Sequence, residues 1–283
     1  MSGLSGAGRR PVDGLFGPGS VVWKIDRELA VLLGSGSRAL LLQVAHPKVA
    51  TAVADHSRYR TDPIGRLHHT LEAIYTFAFA DLERATRMVE SVNRRHAEVT
   101  GPGYSALDPV LLLWVYATLI DSSLLAYETF VTPLTFEERE TAYREFVRAG
   151  PVWGIPPQLF PPTLVALRSW MDDLIARGEV TVTEQGGEIG RLILQPPVWW
   201  LPGPMMAPLE WVAIWLLPPR IRDGFGYSWG PKREKFMRSV AAASRAIVPR
   251  MPPVVRDLPV ARAADRRVQG GQREAKPRLP AEQ

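Results

Sequence analysis

Apolar residues recur at helical spacing along most of this chain. Val22, Ile25, Leu29 and Leu32 stand 3, 4 and 3 apart, one face of a helix that Gly34 and Gly36 are expected to break. Leu40 to Ala45 is an unbroken apolar run, read as a buried helix. His46-Pro47 interrupts or kinks it, because the residue before a proline is biased away from helix. Asp62-Pro63 and Asp108-Pro109 each set an N-cap side chain before a proline at the first helical position. The first opens a helix carrying Leu67, Leu71, Ile74 and Ala78; the second opens a strongly apolar helix to about Phe130. Between them a helix runs from near Asp81 to about Val99, where Gly101-Pro102-Gly103 ends it.

Thr135 and Glu138 have capping-box spacing, and their helix is expected to end at Gly150. A Pro-rich link, Pro151 to Pro162, leads to a helix over Thr163 to Ala176. Val180 to Thr183 reads as a short strand or, equally, as the approach to a helix capped by Thr183 and running to Leu194. Pro196 to Pro219 is rich in Trp and Pro, with a short apolar helix around Leu209 to Leu217; Pro231 to Val248 is a basic amphipathic helix. No repeat and no useful period-2 run is present. The predicted architecture is all-α, a single multi-helix domain of about nine or ten helices. It occupies residues 20–260, between a flexible Gly/Ser-rich leader (1–19) and a basic, disordered tail (261–283).

Composition narrows the chemistry. The absence of cysteine excludes disulfides, thiolate zinc sites, iron–sulfur clusters and a haem thiolate ligand. The net charge of +5 comes largely from the C-terminus, where Arg256 to Gln283 holds seven basic and four acidic residues. No recognition motif accompanies that charge, so no nucleic-acid partner is expected. No signal peptide precedes the first helix, and the run Val110 to Ile120 is too short to span a bilayer, so a cytoplasmic location is expected. A peripheral membrane contact remains open through the tryptophans Trp199, Trp200, Trp211 and Trp215, whose commoner fate is core packing. Gly-x-Ser-x-Gly, GxGxxG, Walker and His-Glu-x-x-His patterns are all missing.

All five histidines fall between residues 46 and 96. On the helix ending near Val99, Leu82, Ala85, Val89, Val92, His96 and Val99 share one face, and Arg84, Arg87, Glu90, Arg94 and Glu98 share the other. An imidazole on the inward face needs a partner, since burying it alone costs about 1–3 kcal/mol. A backbone carbonyl is the plainest partner; a neutral imidazole in an apolar wall is also what an axial haem ligand looks like. Arg94 and Arg95 beside it are either exposed helix arginines or partners for haem propionates. Arg66 and Thr70 share a helix face with His69 beside them, a set able to polarise dioxygen or hold an anion. The plain alternative is a solvated Arg66 and a Thr70 bonded one turn back. His46 reads as a helix cap, and His46, Asp55, His56 and Asp121 as a metal set only in principle.

The runs Leu41-Leu42-Gln43-Val44-Ala45-His46-Pro47, Ala54-Asp55-His56-Ser57 and Asp62 to Thr70, followed by His96, Tyr104-Ser105-Ala106, Asp108-Pro109 and Trp114-Val115, together resemble the rubber oxygenase family. That family includes the latex-clearing proteins and the oxygenase of mycophenolic acid biosynthesis. Weaker echoes at 218–226 and 250–256 extend the likeness over roughly residues 20 to 260. The resemblance implies a distantly globin-like helical core holding haem b, and oxidation of a small apolar, isoprenoid or lipid-like substrate with dioxygen. It implies His96 as proximal iron ligand and Arg66 and Thr70 at the distal face. His46 joins His96 and Arg66 as a candidate cofactor contact.

Two departures qualify it. Latex-clearing proteins carry a lysine before that threonine, able to cap the iron; here the position is His69, a candidate distal ligand. Those enzymes also use a distal glutamate as base, and no glutamate lies between Leu41 and Arg66; Asp55 is the nearest carboxylate. An oxidation other than rubber cleavage is therefore expected. The competing readings are a haem protein without turnover and a non-haem helical protein that binds an apolar ligand.

Overall fold

The computed structural model describes residues 11–195 and 203–274, and helices account for most of them. The first half contains α1 (Val21–Asp26), α2 (Leu29–Ala45), α3 (Pro47–His56), α4 (Pro63–Phe79) and α5 (Leu82–Glu98). A two-stranded hairpin follows, β1 (Thr100–Gly101) antiparallel to β2 (Tyr104–Ser105). Then come α6 (Pro109–Phe130), α7 (Phe136–Ala149), α8 (Leu164–Ala176) and α9 (Glu184–Leu194). The C-terminal part holds α10 (Gly203–Leu216), α11 (Pro219–Gly224), α12 (Pro231–Ile247), α13 (Pro253–Arg256) and α14 (Pro259–Glu274). The protein is an all-α single domain.

The helix starts follow local chemistry. Asp62, Asp81 and Asp108 each accept backbone N–H bonds from the first turn they precede, and Thr135 with Glu138 closes both halves of a capping box. Thr183 accepts from Gly186 N, so the segment before it is a cap approach and not a strand. His46-Pro47 separates α2 from α3 with a bend of 98°.

α6 is the axis of the core. The consecutive residues Leu111, Leu112, Leu113 and Trp114, and again Ile120 to Leu124, are buried, so every side of the helix is covered, the mark of a helix surrounded by others. Among the described residues it is the one unbroken helix long and apolar enough to cross a membrane, the bent pair α2–α3 passing only when taken together, yet most of α6 is covered by its own fold. α2 crosses it closely because Gly34 presents no side chain. A Cβ there would meet Phe130 at 2.8 Å and Ala126 at 3.1 Å. Asp121 does not end the helix: Arg38 and Arg168 neutralise it, and α6 continues to Phe130.

Three expectations are corrected. Gly34 and Gly36 lie inside α2, and the break falls at Arg27–Glu28. There Arg256 donates to the Glu28 carboxylate at 2.8 Å, Arg27 donates to Asp257 and Asp265, and Glu28 pairs with Asp257 in a β-bridge. Contacts from more than two hundred residues away thus outweigh local helix propensity. The expected leader includes a short 3-10 helix, Pro11–Asp13, and then buries Leu15 and Phe16, with Phe16 edge-on to Phe77 and Phe146. The expected tail is helix α14 through Glu274, and its Ala261, Ala264 and Val268 are buried. Ala261 and Ala264 pack in one cluster with Trp23 and Phe79. Residues 1–10 and 275–283, and Trp199 and Trp200, lie outside the described residues.

Candidate functional site

α4 and α5 form an antiparallel hairpin turning at Ala80–Asp81. Equal counts from that turn set Arg66 and Thr70 level with the last turns of α5, where Asn93 and His96 lie. The end of α3 and the β-hairpin close this end. His56 Nε2 is 3.2 Å from the Thr100 carbonyl, and the Tyr104 hydroxyl donates to Asp55 Oδ2 at 2.8 Å.

The inward face of α5 is as its periodicity implies. Ala85 and Val89 are buried, Leu82, Val92 and His96 are partly buried, and Arg84, Arg87, Glu90, Arg94 and Glu98 are exposed. His96 Nδ1 is shielded from solvent, yet it has no hydrogen-bond partner; the plain carbonyl bond is not made. Burial lowers the pKa of the ring below its ordinary value and keeps it neutral. One turn earlier Asn93 Oδ1 is also buried without a partner. Two orphaned polar atoms on one face of one helix turn are costly, and each calls for a group to complete it.

Arg66 is not solvated. Its Nη1 donates to Ser57 Oγ, no carboxylate pairs with it, and burial lowers its pKa. Thr70 Oγ1 donates to the Arg66 carbonyl at 2.9 Å, the bond one turn back. A half-buried guanidinium with no carboxylate partner therefore stands at the same end of the hairpin as an unpartnered imidazole.

Other expected site residues are not gathered there. His69, expected as a distal ligand, has its side chain 68 % exposed, with Nδ1 3.9 Å from Glu72. His46 accepts the Lys48 N–H at its Nδ1 and packs its ring 6.2 Å from that of Trp114, so its work is in the α2–α3 bend. No hydrogen bond or ring contact joins it to Arg66 or His96. Asp55, bound to Tyr104, is exposed, and Asp121 is held by two arginines. The four-residue metal set is thus dispersed, and among the described residues no three His, Asp or Glu side chains gather around a common point.

Sequence reasoning missed Ser57 and Asn93. Asn93 stands three residues before His96 on the edge of the inward face, and that spacing was a usable signal. It also missed Asp26 on α1. The Asp26 carboxyl is hemmed in by protein, makes no hydrogen bond, and is pushed up to about 7 by burial. Its charge adds to the burial that raises Tyr75 on α4 and Tyr116 on α6. Tyr75 follows Arg66 by nine residues, about 180° around the helix, so Asp26 lies behind α4 and not at the Arg66–His96 end.

The fold and site thus define an all-helical protein in which, among the described residues, one imidazole has a buried nitrogen without a partner, at the same end of the α4–α5 hairpin as a half-buried arginine. The family model described as the catalytic domain of ER-bound oxygenase mpaB/B′ and rubber oxygenase matches residues 23–246. The match covers well over half of the chain, and the protein belongs to this oxygenase family. No curated protein and no solved structure matches it significantly.

Proposed function

We propose that this member of the oxygenase family is a haem b-dependent oxygenase or oxidase that acts on a small apolar substrate, isoprenoid or lipid-like, with dioxygen. The observation that carries the reading is the His96 ring, held neutral in an apolar wall with a buried nitrogen and no protein partner. The donor set fits the cofactor. One imidazole would suffice to hold the haem iron, so a cluster of three protein ligands is not required. His96 would hold the iron. Arg66, with Thr70 behind its backbone, would present fixed positive charge where negative charge develops on oxygen. Arg94 and Arg95, exposed near the end of α5, would pair with the haem carboxylates. When bound, the haem supplies activation of dioxygen. The chain's share is to keep the imidazole unprotonated, to line the site with the apolar face of α5, and to hold Arg66 through Ser57.

The test compares wild type with His96→Ala and Arg66→Ala by absorption spectroscopy and oxygen uptake. Wild type takes up haem and shows a Soret band; His96→Ala loses or shifts it. Arg66→Ala keeps the cofactor and loses dioxygen-dependent turnover of a terpenoid or lipid extract by about 10²-fold. A colourless wild type that ignores added haem ends the reading. Haem uptake without oxygen consumption leaves a haem protein without turnover.

A further inference from the structure

α12 carries two apolar stripes, and the fold covers one. Met237 and Ala241 are buried, Ser244 Oγ donates to the Phe130 carbonyl at 2.7 Å, and Glu234 receives the indole N–H groups of Trp215 and Trp229. The second stripe is Phe236, Val240, Ala243 and Ile247, spaced 4, 3 and 4 and turned about 100° from the first. It faces water, with Phe236 54 % and Ile247 58 % exposed. Trp211 of α10 extends it, edge-on to Phe236 at 6.0 Å and with the Arg233 guanidinium over its ring. Val254 and Val255, just beyond α12, are exposed as well.

Lys232 and Arg233 flank this stripe on its two sides, with Lys235 beyond Lys232, and all three are exposed; Arg238 and Arg245 lie on the other side of the helix. Glu234 is the sole acid of α12, and it is turned to the two indoles and to Arg238. Exposed aromatic and aliphatic groups flanked by long cationic side chains suit the boundary between lipid headgroups and acyl chains. There indoles settle and Lys/Arg stems reach up to phosphates.

We infer that the Phe236–Val240–Ala243–Ile247 stripe, with Trp211, seats this protein on the surface of an anionic lipid bilayer. Charge decides between this occupant and a second copy. Self-pairing would bring one set of α12 cations against another, with no outward-facing acid on the helix to receive them. A nucleic acid would satisfy the cations and leave the apolar stripe uncovered. Of the four tryptophans read as a membrane contact, Trp211 joins this surface and Trp215 points inward to Glu234, while Trp199 and Trp200 lie outside the described residues.

The full-length protein is floated with phosphatidylcholine vesicles, with and without phosphatidylserine, at low and high salt. Wild type floats with the anionic vesicles and less so at high salt. Phe236→Ser/Ile247→Ser and Lys232→Glu/Lys235→Glu each weaken binding by about tenfold or more. All four positions are exposed, and unchanged thermal melting confirms that each variant is folded. Wild type remaining with the aqueous phase overturns the inference, as does equal binding by the serine variant. A dimer that the serine variant converts to monomer, without vesicle binding, assigns the stripe to a second copy instead. Because no step uses haem, this outcome is independent of the cofactor reading.

Discussion

Arg38 Nη2 donates to Asp121 Oδ2 at 2.7 Å where both side chains are almost entirely removed from water. The same guanidinium donates to Ser122 Oγ at 2.6 Å and to the Leu216 carbonyl at 2.8 Å, and Arg168 takes the other Asp121 oxygen. One buried charge set thereby ties α2, α6, α8 and α10 together. Burial alone would push the Asp121 carboxyl up; Arg38 and Arg168 outweigh it and hold it below its ordinary value. Asp121→Asn leaves two cations short of a counter-charge and is expected to cost about 3–5 kcal/mol. Urea unfolding of the variant checks this. In the wild type the contribution is present above the unfolded carboxylate range and is lost as pH falls through the depressed folded value.

Asp26 titrates in the opposite sense. Its folded pKa, about 7, lies above the ordinary 3.8, so the folded chain binds its proton more tightly than the unfolded chain. Its contribution to stability is full below pH 3.8 and is lost as pH rises to about 7. Asp26→Asn removes this slope, and its melting temperature at pH 8 is expected to exceed the wild type's. The gain is roughly 1–3 kcal/mol, less than the full shift, because the side chain keeps some surface. Equal melting temperatures at pH 5 and pH 8 in both proteins would count against the assignment.

His96 adds an acid-side slope in haem-free protein. Burial lowers its folded pKa below 6.5, so the unfolded chain takes up the proton first and stability falls as pH drops below 6.5. His46, also lowered chiefly by burial, contributes in the same direction. His96→Gln is expected to remove the His96 part of this acid-side slope between pH 7 and pH 5 and to leave the part due to His46 and the opposite slope of Asp26, as read by calorimetry at each pH.

Gly34→Ala tests the α2–α6 crossing. The added Cβ would sit 2.8 Å from the Phe130 ring, so one helix or the ring must move. A loss of about 1–3 kcal/mol is expected although alanine favours helix by about 1 kcal/mol. Gly36→Ala, whose Cβ would meet only a Leu32 methyl at 3.8 Å, is the control and is expected to be neutral or stabilising.

A chain ended at Asp257 lacks α14 and uncovers Trp23 and Phe79, along with losing Asp265, the partner of Arg27 and of the Trp23 indole. Its melting temperature is expected to fall by roughly 5 °C or more. An unchanged melting curve would return this segment to the role of a dispensable tail.

The readable features were those set within one turn of chain. Asp62, Asp81, Asp108, Thr135 and Thr183 cap their helices because a short side chain and the next backbone N–H groups need nothing else. The inward position of His96 followed from period alone. The break at Glu28 did not, because a carboxylate on α1–α2 answers to Arg256 at the other end of the sequence. The exposure of His69 was equally hidden: its neighbours Arg66 and Thr70 turn inward, and only the packing of α4 decides which side of that helix meets water.

The sequence by itself determined that the protein is helical, where most helices begin, and that an imidazole lies on an apolar helix face, since propensity, capping and periodicity are local. Tertiary structure decided the rest. It brought Arg66 and His96 to one end of the α4–α5 hairpin, left His96 Nδ1 without a partner, and drew α14 onto Trp23. It also buried one stripe of α12 and left the other in water. Which side chain finds a partner is settled by which distant surface arrives beside it, and no local spacing encodes that arrival.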